Sequence, residues 1–205
     1  PDPAMLKAKG RFVPQATNSG FNINGKRVAQ KGYITDELTD YAETWLGAKD
    51  DAKPFLLYVS HKGVHADFLP PDRHAFKYDE VLIPTPPTPL SNPDLFTDPP
   101  MWVRNQSNSR HGVEFAYYTG VDMKKYYRRY CEALLAVDDS VGRLLGNLEK
   151  SGELEDTVVL YLGDNGFIFG EHGLIDKRCA YDESIRIPML MLYPKLLKAG
   201  TKVEK

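Results

Sequence analysis

The apolar run Val158-Val159-Leu160-Tyr161-Leu162 ends without transition in Gly163-Asp164-Asn165-Gly166. Such a run, cut off by polar residues, reads as a buried parallel strand that delivers ligands at its carboxyl end, where open α/β sheets place their sites. Adjacent Asp164 and Asn165 offer hard oxygen donors of the kind that hold Ca²⁺ or Mg²⁺. His172 and Lys177 follow closely, both able to hold an anion, among glycines that let the backbone turn tightly. Asn-Gly alone is an ordinary turn dipeptide. The order strand, Asp-Asn-Gly, Gly170-Glu171-His172-Gly173, Asp176-Lys177-Arg178 is what turns this segment into a candidate site.

Around that segment the chain alternates strand-like and helical patterns. Phe21 to Val28 alternates about Asn24-Gly25, a hairpin signal. Thr35 reads as the N-cap of a helix running to about Trp45, with Leu38, Tyr41, Ala42, Trp45 and Leu46 on one face. Phe55 to Ser60 reads as a core strand. A long helix is expected from about Met123 to Lys150, its stripe formed by Tyr127, Cys131, Leu134, Val137, Val141, Leu144, Leu145 and Leu148. Ile187 to Tyr193 reads as the last strand. Strand, helix, strand, polar excursion, strand argues for an α/β fold: a layered, partly parallel sheet flanked by helices. Residues 1–31 read as a weakly ordered lead-in with a hairpin. Within 32–205, the Pro-rich stretch 70–120 precludes long regular elements and reads either as the wall of a substrate cleft or as surface wrapping.

Composition sets the outer bounds. With 205 residues, 42% hydrophobic and 26% charged, the chain is long enough for a core and too apolar for disorder. A net charge of −2 makes no general electrostatic case for nucleic acid or an anionic membrane. No apolar run approaches a membrane span, and Pro1 onward carries no signal-peptide pattern. The cysteines, Cys131 and Cys179, build no disulfide framework; Cys131 is expected as a buried free thiol. Asn105-Gln106-Ser107 matches a glycosylation sequon, and Arg104, Arg110 and His111 are read as solvated surface.

Taken together, Gly163 to Gly166, Gly170 to Leu174, Asp176 to Arg178 and Tyr181 to Pro188 resemble the C-terminal half of the formylglycine-dependent sulfatases, members of the alkaline-phosphatase-like superfamily. A second block, Gly32 to Asp36 and Lys53 through Ser60-His61-Lys62-Gly63-Val64-His65, is similar to an earlier strand and active-site histidine of that family. The resemblance spans Gly32 to Pro194. It implies an alkaline-phosphatase-like fold, incomplete here, and places a divalent metal, usually Ca²⁺ with Mg²⁺ as the alternative, on Asp164 and Asn165. It makes Lys177 the lysine that stabilises charge on sulfate, and His65 the imidazole that binds sulfate or protonates the leaving oxygen. Lys62 becomes a substrate contact. His172 stays open between a substrate or metal-shell role and a structural one, and His61 has no role. The family often has Pro next to this histidine, whereas here Val64 precedes it and Ala66-Asp67 follow, which puts the shape of the adjoining pocket in question.

The family's nucleophile motif, Cys-x-Pro/Ala-x-Arg, is absent. Cys131 is followed by Glu132-Ala133-Leu134-Leu135, and Cys179 by Ala180-Tyr181-Asp182-Glu183. The paired N-terminal metal aspartates are missing too; Asp138-Asp139 imitates them within a helical pattern. The expectation is therefore a piece of a longer sulfatase, inactive alone, completed by a missing N-terminal half that supplies formylglycine. The full protein is expected to hydrolyse sulfate esters of a sulfated carbohydrate, in a secreted, periplasmic or lysosomal-type compartment. A phosphoester or phosphonate hydrolase, or a non-catalytic anion- or glycan-binding descendant, is the alternative.

Overall fold

The computed structural model describes residues 20–65, 68–85, 100–101 and 122–203. Two compact units emerge, one from residues 1–80 with 128–155, the other from 81–127 with 156–205.

In the first unit, β1 (Phe21–Ile23) and β2 (Lys26–Val28) pair antiparallel. Asn24 (φ 51) and Gly25 (φ 86) occupy the turn in left-handed conformations, as a tight two-residue hairpin turn requires. The Asn22 side chain accepts the Gly25 N–H at 2.8 Å. Two helices follow, α1 (Ile34–Ala48) and α2 (Met123–Lys150), the latter with the bounds its periodicity predicts. Only the first residues of α2, up to Tyr127, belong to the second unit.

The buried face of α1 differs from the expected one. Thr35 is not a cap: it lies inside the helix and is fully buried with Thr39, beside buried Ala42, while Tyr41 and Trp45 stay partly exposed. The Glu37 carboxylate instead collects the backbone N–H groups of Lys31 and Gly32 ahead of the helix, satisfying donors that a Thr cap would not reach. On α2 the buried residues are Glu132, Ala133, Ala136, Val137, Ser140 and Leu148, so small residues replace much of the predicted Leu-rich stripe. Cys131 is only partly buried; it and Cys179 are free thiols. Hydroxyls and charged groups join the helices. Thr39 and Ser140 meet at 2.7 Å, Arg143 reaches Asp40 at 2.6 Å and also Glu43, and Asn147 donates to Glu43 at 2.7 Å.

Phe55 to Ser60 alternates in burial as a strand should, with Phe55, Leu57 and Val59 half-buried. Leu56 and Tyr58 are 90% and 87% exposed, and the segment joins no ladder among the described residues. It carries the burial pattern of a strand without being paired among the described residues.

In the second unit β3 (Val159–Leu162) pairs with β6 (Met189–Leu192). The pairing is antiparallel, in the register Val159↔Leu192 to Leu162↔Met189. A parallel neighbour was the expectation; every strand pair among the described residues is antiparallel. The reason is local. The chain leaves β3 at Leu162 and returns beside it at Met189, so residues 163–188 form one closed excursion from a single sheet edge. Leu160 and Leu162 remain about half exposed, at 51% and 52%, and every residue of β6 is exposed. Within the excursion, β4 (Ile168–Phe169) pairs antiparallel with β5 (Ile175–Asp176), and α3 (Asp182–Ile185) makes one turn. Ile168, Phe169, Leu174 and Ile175 are buried; Ile168 alone, fully buried, contributes about 2 kcal/mol. Edge-on contact of Phe169 with Tyr127 at 4.8 Å ties this small core to the start of α2.

The sequon Asn105-Gln106-Ser107, Arg104, Arg110, His111 and the lead-in 1–19 lie outside the described residues, as does most of the stretch 70–120. Among the described residues no helix is long and apolar enough to cross a membrane.

Candidate active site

The predicted site residues fall into two groups. Asp164, Asn165, His172 and Lys177 sit on the excursion between β3 and β6; Lys62 and His65 sit in the first unit, after the extended segment.

Asp164 and Asn165 follow β3 directly, with Asp164 exposed. One Asp164 oxygen accepts the Asn165 N–H at 2.9 Å, which holds the carboxylate back over its own turn. The Asn165 amide nitrogen donates to the Gly166 carbonyl at 2.7 Å, so its carbonyl oxygen is the end turned to other duty. The pair thus presents hard oxygen donors, a set that suits Ca²⁺ or Mg²⁺. No group of three or more His, Cys, Asp or Glu side chains placed for a metal occurs among the described residues. The fit is chemically right and numerically incomplete.

Gly166 locks this turn to α3. Its N–H donates to the Ser184 carbonyl at 2.8 Å, and a Cβ placed on it would lie 1.9 Å from the Glu183 carbonyl oxygen. Only glycine allows so close a backbone approach. The Asp-Asn-Gly signature is therefore also a packing requirement.

His172 is committed structurally. Its Nε2 lies 3.1 Å from a Glu183 carboxylate oxygen, and its ring stacks on Tyr181 with centroids 4.0 Å apart. The residue sits at φ 54, in the left-handed region that costs a non-glycine residue about 1–2 kcal/mol. Preceding it, Gly170 (φ 113) opens the turn, and the Glu171 carboxylate accepts the Phe169 N–H at 2.6 Å. Its own backbone N–H and His172 hold the Glu183 carboxyl below the usual carboxylate range. Lys177 directly follows β5 within the same excursion and is partly exposed.

In the first unit the chain turns at residues 62–65, where the His65 N–H donates to the Lys62 carbonyl at 2.9 Å. The Phe68 N–H then donates to the His65 carbonyl at 3.3 Å, and Phe68 is buried edge-on to Tyr130. Tyr33 donates its hydroxyl to the Leu69 carbonyl at 3.0 Å, and burial pushes that phenol up to about 12.

Sequence reading missed a cluster beside this turn. Arg73 forks onto both oxygens of Asp36 at 2.7 Å and reaches Asp139 at 2.8 Å. Buried His74 donates from Nε2 to Asp139 at 2.6 Å. Burial works against charge on Asp139, but the bonds from His74 and Arg73 outweigh it and keep the carboxyl below its ordinary range. Asp139 is thus an anchor for the Arg73-His74 turn within its unit. The signal available was Arg73-His74 itself, an Arg and a His side by side just after Pro70-Pro71.

Comparison with known proteins places this arrangement. Residues 7–205 match the Sulfatase family. An N-acetylglucosamine-6-O-sulfatase of Bacteroides thetaiotaomicron is 31% identical over 229 residues, covering 87% of this chain and 41% of that protein. The N-acetylglucosamine-6-sulfatase of Bos taurus is 28% identical, covering 86% of this chain and 31% of the relative. Among solved structures, BT4656 in complex with its substrate D-glucosamine-2-N,6-O-disulfate aligns with a TM-score of 0.67 at 30% identity, over 86% of this chain and 46% of that one. A phosphonate monoester hydrolase from Silicibacter pomeroyi shares the fold, with a TM-score of 0.65 at 17% identity over 93% of this chain and 40% of that one. The chain therefore spans less than half the length of these proteins, and its fold is the mixed α/β, alkaline-phosphatase-like one in partial form. With the match running almost from end to end, this chain belongs to the sulfatase family.

Proposed function

We propose that the whole protein is a sulfuric ester hydrolase acting on a sulfated carbohydrate, and that residues 32–205 are the C-terminal portion of its catalytic domain. Family membership implies a metal ion and a formylglycine in general. The observation that supports the proposal is the closed excursion from β3 to β6, which carries Asp164, Asn165, His172 and Lys177 between two paired strands.

Asp164 and Asn165 would hold the metal through their side-chain oxygens; Ca²⁺ is the proposed ion, with Mg²⁺ the alternative. Bound there, it would offset negative charge on the sulfate oxygens. Lys177 would contact the sulfate group and stabilise the charge that develops on it, an effect worth about 3 kcal/mol for one preorganised donor. His65 would protonate the leaving alcohol oxygen, and Lys62 would contact substrate. The constraints on His172 favour a supporting role: it braces the turn that carries the glycines ahead of Lys177, and through Glu183 it reaches the helix that holds Gly166.

Since no Cys-x-Pro/Ala-x-Arg occurs in these 205 residues, the nucleophile and the remaining carboxylate ligands would come from outside them. The exposed apolar residues support the same reading in each unit separately: Leu56 and Tyr58 in the first, and Leu160, Leu162 and Met189 to Leu192 in the second, are side chains that further parts of the domain would cover. A secreted, periplasmic or lysosomal-type compartment is proposed on family grounds alone.

The test is turnover by the full-length protein on N-acetylglucosamine 6-sulfate, an aryl sulfate and an aryl phosphonate monoester, beside the 205-residue chain by itself. Sulfate-ester hydrolysis by the full-length protein and none by the isolated chain is the expected result. Preference for the phosphonate would replace the proposal with the phosphonate-hydrolase reading. Binding without turnover of any ester would replace it with a glycan-binding one.

A further inference from the structure

His61 stands at the head of the turn that carries Lys62 and His65, and nothing so far gives it a task. Its Nε2 lies 2.9 Å from the Ser140 hydroxyl on α2. Ser140 is buried, and its hydroxyl lies 2.7 Å from that of Thr39, buried on α1. Thr39 in turn lies 2.7 Å from the Thr35 carbonyl.

Proton counting orients this chain. A carbonyl only accepts, so the single Thr39 proton goes to Thr35. Thr39 then accepts the single Ser140 proton, and Ser140 must accept from His61 Nε2–H. The reverse orientation would make fewer bonds and leave an N–H on Nδ1, which is buried and has no partner among the described residues. His61 is therefore neutral, with its proton on Nε2. Burial lowers its proton affinity in the same sense; Asp36, the charged group facing it from α1, opposes that and is itself held by Arg73.

The rest of the turn is fixed as well. A Cβ on Gly63 would lie 3.3 Å from the Thr35 hydroxyl and 3.5 Å from Val137, so the backbone already rests on both helices. Phe68 closes the far end in its buried slot against Tyr130.

We propose that His61 is a positioning residue: its Nε2–H, donated into the Ser140–Thr39–Thr35 chain, clamps the 61–65 turn to α1 and α2 and so fixes where Lys62 and His65 present their side chains. The clamp itself stands on geometry, while its catalytic consequence rests on the proposed substrate roles of Lys62 and His65.

The experiment uses the full-length protein and its variants His61→Ala, His61→Gln and Ser140→Ala. Two readouts are taken: amide hydrogen exchange of a peptide spanning 61–65, with one spanning β3 as control, and steady-state kinetics on N-acetylglucosamine 6-sulfate. In His61→Ala and Ser140→Ala, exchange across 61–65 should rise about tenfold or more while β3 is unchanged. The value of kcat/KM should fall about 10–100-fold, the cost of misplacing groups by roughly an ångström. His61→Gln should recover most of both, because its amide N–H can also donate to Ser140. Unchanged exchange in His61→Ala, or a Gln variant as loose as the Ala one, overturns the clamp. Looser exchange with unchanged kcat/KM overturns its link to catalysis. If the wild-type protein turns over no sulfate ester, the functional reading falls, and the exchange measurements still decide on the clamp.

Discussion

The unit around α1 and α2 and the unit around β3 and β6 hold their candidate residues by different means. In the first, side chains far apart in sequence do the holding: His61 with Ser140, Thr39 with Ser140, Arg73 with Asp36 and Asp139. In the second, backbone does most of it: Gly166 N–H to the Ser184 carbonyl, Gly170 N–H to the Leu174 carbonyl, and a glycine where no Cβ fits. The first unit should therefore be sensitive to deleting side-chain atoms, the second to adding them.

The sharpest break is chemical. On the proposed role of Lys177, Lys177→Ala in the full-length protein should lower kcat roughly 10²–10³-fold with metal content unchanged, since it would remove a donor to the sulfate and no metal ligand. Asp164→Ala should lower metal content, because it removes a charged oxygen donor. Metal stoichiometry measured beside kcat separates the two; full activity in Lys177→Ala would remove the role assigned to it.

Next comes the added atom. Gly166→Ala should destabilise the protein by about 1–3 kcal/mol, since its Cβ meets a backbone carbonyl that cannot swing away. Thermal unfolding would show it, and a wild-type Tm would mean that the excursion is softer than its hydrogen bonds imply. Ser140→Ala, the deleted atom in the other unit, should cost about 1–2 kcal/mol by leaving the His61 N–H without an acceptor.

The smallest effect is in pH. His61 is held below its ordinary value of 6.5, so the unfolded chain takes up its proton first as pH falls. Stability from keeping it neutral is complete above about pH 6.5 and declines as pH drops from there toward the folded value. Glu183 is held below 4.5, so its contribution is present above that value and is lost as pH falls through its folded one. Between about pH 4.5 and 6.5 hydrogen exchange, corrected for intrinsic rates, should loosen across 61–65 sooner than the Gly166–Ser184 contact. Simultaneous loosening would erase the contrast between the units.

Local pattern made a good part of this legible. The switch from Leu162 to Gly163-Asp164-Asn165-Gly166 marked the strand end, Asn24-Gly25 the hairpin, and apolar spacing the full length of α2. These follow from interactions within a few residues: turn conformations that need glycine or asparagine, and the helical period. The family could be read for the same reason, because its signatures are short and contiguous.

Partners distant in the chain decided the rest. The buried face of α1 went to Thr35 and Thr39 rather than to Leu38 and Tyr41; for Thr39, Ser140, over a hundred positions away, supplies a bond that makes its buried hydroxyl tolerable. The direction of the strand beside β3 depended on where the chain returns after 163–188, which no period in an apolar run encodes. His172 became a brace because Tyr181 and Glu183 face it, and His61 gained a task because Ser140 and Thr39 leave their protons only one way to run. The sequence by itself determined which chemistry the chain can carry, since side-chain identity sets charge, ligand type and turn preference. Tertiary structure alone decided which groups are held, and by whom, since hydrogen bonds between distant residues exist only once folding has brought them within 3 Å or so.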